Sequence, residues 1–145
     1  MKEQRMKVLI GGGSGLIGSR LQSFLKTRNI DYAILSRTPE KYSGIESYYW
    51  DTKGMEIDSD AFNDVTHVIN LAGAGIADKK WSDKRKKIII SSRIGTTKLL
   101  GDAIKENGSD VTTYISASAT GYYGDTKKEI VNESSPPGSG FLAES

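Results

Sequence analysis

The segment Gly12-Gly13-Ser14-Gly15-Leu16-Ile17-Gly18 constrains this chain more than any other. Gly12, Gly15 and Gly18 recur at intervals of three, directly after the apolar run Val8-Leu9-Ile10. Leu16, Ile17, Leu21, Phe24 and Leu25 then recur at spacings of three and four. The apolar run predicts a buried strand, and the stripe predicts one face of a helix ending near Asn29. A strand, a tight turn and a helix in that order need glycine for three reasons. The first glycine permits the sharp turn, the second lets backbone approach a pyrophosphate, and the third lets the helix pack closely on the sheet. The helix start offers unpaired N–H groups and about half a positive charge to an anion in the turn. A Walker A loop is excluded, because no Gly-Lys-Ser/Thr follows.

The remaining chain alternates strand and helix patterns. Tyr32 to Leu35, Ser47 to Trp50, His67 to Leu71 and Thr113 to Ser116 are further strand-like runs. Ser82 to about Asn107 is the longest helical pattern, with Ile90, Ile94, Leu100, Ala103 and Ile104 on one broad face and Gly108 as its stop. Such alternation argues for a parallel sheet with right-handed crossovers. The expected fold class is α/β: a Rossmann-type doubly wound parallel sheet, three-layer α/β/α, with strand order 3-2-1-4-5. At 145 residues one domain, 1–145, is the default. Thr126 to Ser145 is polar around Pro136-Pro137-Gly138 and leads into the first residues of another helix, Phe141 to Ser145. A complete dinucleotide fold has a sixth strand, and its substrate pocket needs further chain. The expectation is therefore an N-terminal piece truncated before that strand, with the C-terminal substrate-binding part outside it.

Composition excludes several classes. The absence of cysteine rules out disulfides, thiolate metal sites and a cysteine nucleophile. No apolar run approaches the ~20 residues that cross a bilayer, and Met1 to Lys7 lacks the apolar core of a signal peptide, so a cytoplasmic location and no membrane partner are expected. A net charge of +2 is too small to imply nucleic acid.

Cofactor choice is legible at the end of the second strand, where an NAD-binding protein puts an acid against the ribose hydroxyls. Ser36 and Arg37 stand there instead. Asp31 lies at the opposite end of that strand, and Glu40 follows only after Thr38-Pro39. A guanidinium can meet a 2′-phosphate with two hydrogen bonds and a full opposite charge, which points to NADP(H). The plain alternative is a surface arginine.

Gly12-x-x-Gly15-x-x-Gly18, Leu35-Ser36-Arg37-Thr38-Pro39 and Asn70-Leu71-Ala72-Gly73-Ala74, in that order, resemble the extended short-chain dehydrogenases. Trp81 with Lys80 and the basic run Lys84 to Lys87, Ser92-Arg93-Ile94-Gly95-Thr96-Thr97, and Ser116 to Gly124 narrow the resemblance to an atypical branch. Its members are described as sugar-nucleotide-epimerase-like, sometimes under a label of cell-division inhibitor. The resemblance implies that Gly12, Ser14, Gly15, Leu16 and Ile17, with Gly18 closing the loop, line the pyrophosphate. It implies Ser36 and Arg37 for the 2′-phosphate, and Leu71, Ala72 and Gly73 for the adenosine side. Ser118 falls where extended members carry the hydroxyl that hydrogen-bonds the reacting oxygen.

One departure matters. The usual acid/base pair is a tyrosine with a lysine four residues later, the cation drawing the phenol pKa toward neutrality. Phe141 and Ser145 occupy the corresponding positions, and phenylalanine has no proton to give. Tyr123 precedes Lys127 by four, but Gly124-Asp125 between them predicts a loop, so that pair is discounted. Tyr122 or Tyr123 is left as a substitute acid. The expected function is an NADP-binding, epimerase-like oxidoreductase acting on a small, anionic or nucleotide-linked substrate, with a homodimer compatible. The alternative is a catalytically impaired NADP-binding sensor.

Other residues have plainer explanations. Lys79, Lys80, Lys84, Arg85, Lys86 and Lys87 read first as a solvated face and second as a contact for a phosphate-bearing substrate or partner. His67 reads as structural, and Asp58, Asp60 and Asp64 as capping and surface acids in a helical setting rather than as a metal site. Tyr48, Tyr49 and Trp50 read as the alternating faces of the third strand.

Overall fold

The computed structural model describes residues 5–145. Met1 to Gln4, on which the expectation about a signal peptide partly rests, lie outside the described residues. The elements in chain order are β1 (Lys7–Gly11), α1 (Leu16–Thr27), β2 (Asp31–Ser36), β3 (Ser47–Asp51), β4 (Glu56–Ile57), β5 (His67–Asn70), α2 (Asp83–Asn107), β6 (Thr113–Ser116) and α3 (Phe141–Glu144). They form one sheet in the order β4-β3-β2-β1-β5-β6. Every pairing is parallel except β3 with β4. The predicted order 3-2-1-4-5 is thus β3-β2-β1-β5-β6, with one short antiparallel strand added outside β3.

Alternation along the strands creates the three layers. Val8, Ile10 and Ile34 face α1 and meet Leu25. Leu9, Ala33, Leu35 and Val68 face the other way and meet Leu99, Leu100 and Ala103 of α2. Trp50 fills the α2-side core, while Tyr49 is exposed.

The sequence pattern phases both helices imperfectly. Of the stripe predicted for α1, Leu16 is 83% exposed, Ile17 65% and Phe24 51%. The buried residues are Gly18, Gln22 and Leu25. Phe24 instead carries the Arg28 guanidinium 4.8 Å above its ring. On α2 the buried residues are Ile89, Thr96, Leu99, Leu100 and Ala103, whereas Ile94 is exposed. At about 100° per residue, Ile94 lies roughly a third of a turn from Leu100, so an apolar side chain there cannot share its face.

Local chemistry sets the ends. Asn29 takes a left-handed φ of 53°, the Asn29 N–H donates to the Lys26 carbonyl at 3.2 Å, and the Ile30 N–H donates to the Leu25 carbonyl at 3.0 Å. That is a Schellman stop, in which asparagine tolerates the left-handed residue. The Ser82 hydroxyl caps α2 by accepting the Arg85 N–H at 3.2 Å. The expected helical setting of Asp58 and Asp60 is a short 3-10 turn, Ser59–Phe62, with the Asp58 carboxylate accepting the Asp60 N–H at 3.0 Å. Asp64 follows it with φ 60°. His67 Nδ1 lies 2.8 Å from the Thr66 hydroxyl.

Candidate functional site

The glycine loop leaves β1 at the carboxyl edge of the sheet. Gly12 has φ 80°, and a Cβ there would stand 2.8 Å from the Leu71 carbonyl carbon and the Ala72 nitrogen. The chain after β5 is pressed onto the turn at this point. A Cβ on Gly18 would run into the carbonyl oxygens of Gly12 and Gly13, so this glycine allows α1 to lie directly on the loop. Gly15 differs, since its nearest atom would be the Gly12 oxygen at 3.4 Å. Packing does not require glycine there; the open space beside it does. Buried Gln22 braces the turn by donating to the Gly13 carbonyl at 2.8 Å.

The two long helices begin in opposite ways. α2 has its serine cap and Asp83 in its first turn. α1 starts at Gly15 with no side-chain cap and no acid in its first turn. Its first-turn N–H groups and dipole are therefore left for an external anion, and the site fits the pyrophosphate of a dinucleotide.

A cavity of about 840 Å³ opens beside this helix start. Gly12, Ser14 and Gly15 form one wall, Ser36 and Arg37 a second, and Leu71, Ala72 and Gly73 a third. Its size is that of a cofactor site. Leu16, Ile17 and Gly18 do not line it: the first two are exposed, and Gly18 supports the loop from below. Ser36 Oγ accepts the Thr38 N–H at 3.0 Å, which leaves its own O–H free to donate. Lys41, Asp51, Lys53, Ser92 and Thr96 are among the polar residues that also line it.

Asn70, 3% exposed, fixes the Leu71–Gly73 wall. Its Oδ1 accepts the Ala72 N–H at 3.1 Å, and its Nδ2 donates to Thr96 Oγ1 and to the Tyr114 hydroxyl, each at 3.3 Å. Ser92 and Arg93 extend the same bracing: the Ala74 N–H donates to Ser92 Oγ at 3.0 Å, and Arg93 Nη1 to the Ala74 carbonyl at 3.2 Å.

A second cavity, about 690 Å³, shares Leu71 to Ala74 and Thr96 with the first. Ser118 and Tyr122 both line it, with Arg93 opposite. Tyr123 does not line it; its ring packs edge-on to Tyr122 at 5.2 Å. The 3-10 turn Thr120–Tyr123 ends at Gly124, φ 67°, so Tyr123 and Lys127 share no helical face. Phe141, the first residue of α3, packs edge-on against Trp81 at 5.2 Å with Lys86 Nζ 5.4 Å from its ring centre. Within the basic cluster Arg85 is not solvated. Its side chain is 13% exposed and donates to the Gly75 carbonyl, with Asp78 at 3.5 Å, anchoring the loop before α2. A third hollow of about 880 Å³, between α1 and the β2–β3 connection, has the Arg5–Asp31 ion pair, at 3.2 Å, on its wall. It shares Ser14 with the carboxyl-edge cavity, but Arg37, the Leu71–Gly73 wall, Ser118 and Tyr122 do not line it.

The profile of the NAD dependent epimerase/dehydratase family matches residues 8–141. The chain belongs to that family. Among its relatives, an epimerase family protein of Mycobacterium leprae is 40% identical over 138 residues, which is 94% of this chain and 43% of that protein. The crystal structure of the human epimerase family protein SDR39U1 (isoform 2) with NADPH superposes with a TM-score of 0.77 at 27% identity, covering 96% of this chain and 45% of that one. The nucleoside-diphosphate sugar epimerase of Corynebacterium glutamicum gives 0.76 at 34% identity, covering 97% and 28%. The chain thus spans less than half the length of each epimerase-family protein it matches here. Within the family's dinucleotide fold, sequence reasoning passed over Gln22, Thr96 and Tyr114, which brace the site. Thr96 was detectable as a polar residue between Ile89 and Leu100, whereas Gln22, three positions before Leu25, carried no sign of burial. Tyr114 carried no separate signal, because a tyrosine in a strand already fits a core.

Proposed function

We propose that this chain forms the NADP-binding part of an epimerase-like oxidoreductase whose substrate is small and nucleotide-linked. The observation that carries the proposal is the uncapped, acid-free start of α1 opening onto a cavity with Arg37 at the end of β2. In that cavity the glycine loop would hold the pyrophosphate, Ser36 and Arg37 the 2′-phosphate, and Leu71 to Gly73 the adenosine side. The NADPH named with the human relative supports the choice, while the family description names NAD. A bound nicotinamide supplies or accepts a hydride. For the chain's own residues, the Ser118 hydroxyl would orient the reacting oxygen, and the Tyr122 hydroxyl would exchange a proton with it from the shared cavity.

Calorimetric titration tests the cofactor assignment. NADPH should bind more tightly than NADH, and Arg37→Ala should weaken NADPH by roughly 10- to 100-fold with NADH little changed. Equal affinity for the two would overturn it.

A second reading, a cofactor-binding sensor without turnover, is favoured by Phe141, whose ring is engaged with Trp81 at the position where a proton donor is expected. Incubation of nucleotide-linked sugars with NADP+, followed by the absorbance of any NADPH formed and by chromatography of the sugar products, with Tyr122→Phe as the variant, separates the two. An enzyme turns over and loses rate in the variant; a sensor binds NADPH and shows no turnover with any of them.

A further inference from the structure

We propose that Lys41 is a second cation for the 2′-phosphate and a specificity-determining residue for NADP beside Arg37. The inference rests on the NADP reading above. Two parts of the chain bring cations to one cavity: Arg37 and Lys41 from the β2–β3 connection, and Lys53 from the turn after β3. Between β2 and β3 there is no α-helix, only the 3-10 turn Pro39–Lys41. Proline at the start of that turn presets its φ. The Thr38 N–H donates to Ser36 Oγ at 3.0 Å and the Lys41 N–H to the Thr38 carbonyl at 3.1 Å. Residues 36–41 therefore fold back on themselves, and Lys41 returns to the wall that Ser36 and Arg37 form.

Among the described residues the cations on that wall belong to no ion pair. The ion pairs among the described residues are Arg5–Asp31, Lys7–Glu46, Arg85–Asp78 and Lys98–Asp102, so Arg37, Lys41 and Lys53 stand outside all of them. The carboxylate on the cavity wall, Asp51, has its oxygens engaged by the N–H groups of Lys53 at 3.0 Å and Gly54 at 3.3 Å. A phosphate monoester carries about −1.5 to −2 near neutral pH, more than one guanidinium balances. A ribose hydroxyl carries no charge, so a second cation gains from the phosphate alone. An ammonium is a point charge on a flexible stem, and it can complete the pairing without the bidentate geometry that Arg37 supplies.

The test is the ratio of dissociation constants for NADH and NADPH, measured by calorimetry on the wild-type chain, Arg37→Ala, Lys41→Ala and Lys41→Arg. Lys41→Ala is expected to weaken NADPH about tenfold while NADH is unchanged, and Lys41→Arg to keep most of the wild-type ratio. Lys41 is exposed, so the variants should melt with the wild type. If the wild type prefers NADPH and Arg37→Ala removes the preference, but Lys41→Ala moves both cofactors equally or neither, the role of Lys41 is overturned and the NADP reading stands. If the wild type shows no preference for NADPH, or binds neither cofactor, both fall together.

Discussion

Gly15 and Gly18 differ by one helical turn and fail in different ways when given a methyl group. At Gly18 the new Cβ meets two backbone carbonyls that cannot rotate away, so Gly18→Ala forces α1 off the loop. Overpacking of this kind costs about 1–3 kcal/mol, and urea denaturation should show that loss even without cofactor. The spacing of the glycines made these positions legible, because each role depends on backbone geometry that only glycine permits. Gln22 was not legible. A glutamine in a helix reads as a solvent-facing residue, and only the fold reveals that its amide is buried against the Gly13 carbonyl. Arg37 was singled out because it stands at the end of the second strand, where an NAD-binding protein puts an acid, and Lys41 drew no reading because a lysine in a loop has many uses.

Among the elements, α1 and α2 are contrasting solutions to the same problem of unpaired N–H groups. α2 satisfies its own with Ser82, so Ser82→Ala should lower stability by about 1 kcal/mol without altering cofactor affinity, as a urea midpoint and a parallel titration would show. Asn70 links β5 to both α2 and β6, and its loss removes three hydrogen bonds at once, one of them to buried Thr96. Asn70→Ala should cost about 1–3 kcal/mol in the same urea measurement, and it should also weaken cofactor binding by freeing the Ala72 wall. Five of the six strands, their order and the limits of the two long helices were readable, since glycine stops, a serine cap and apolar runs are local signals. The phase of α2 was not, because its inward face includes Thr96, placed to meet Asn70 rather than to be apolar. β4 escaped for another reason. Two residues are too few for any periodicity, and the strand exists because the Asp51 carboxylate organises the turn that returns Glu56 and Ile57 to β3.

Across the whole molecule, the two ends of the sheet do different work. The end opposite the glycine loop is tied by Lys7, whose ammonium lies 2.7 Å from Glu46 and 3.1 Å from the Asn63 carbonyl, and by the Tyr48 hydroxyl at 2.6 Å from Glu46. Burial pushes the Glu46 carboxyl up, but the bonds from Lys7 and Tyr48 and the Lys7 charge outweigh it and hold it below the ordinary range. A carboxyl lowered in the fold stabilises it above its unfolded pKa, and that contribution disappears as pH falls through the folded value. Glu46→Gln should therefore flatten the acid side of a stability-against-pH curve. Tyr48 moves the opposite way. The hydrogen bond to Glu46, then burial and the nearby carboxylates, push its phenol up to about 12, so its contribution is complete below pH 10 and is lost as pH rises toward 12. Tyr48→Phe should remove that alkaline loss. At the carboxyl end, the 840 and 690 Å³ cavities share Leu71 to Ala74 in their walls, the glycine loop lining the first and Ser118 and Tyr122 the second. The central claim is that the open start of α1 holds a dinucleotide. The most direct measurement is the thermal midpoint of wild type and Gly15→Ala, each with and without NADPH at about 100 times the wild-type dissociation constant. The wild type should gain about 2.7 kcal/mol, roughly 8 °C, while Gly15→Ala should melt like the cofactor-free wild type and gain little. A Gly15→Ala chain stabilised as fully as the wild type would show that the cofactor binds somewhere else, and a wild type that NADPH does not stabilise would contradict the claim outright.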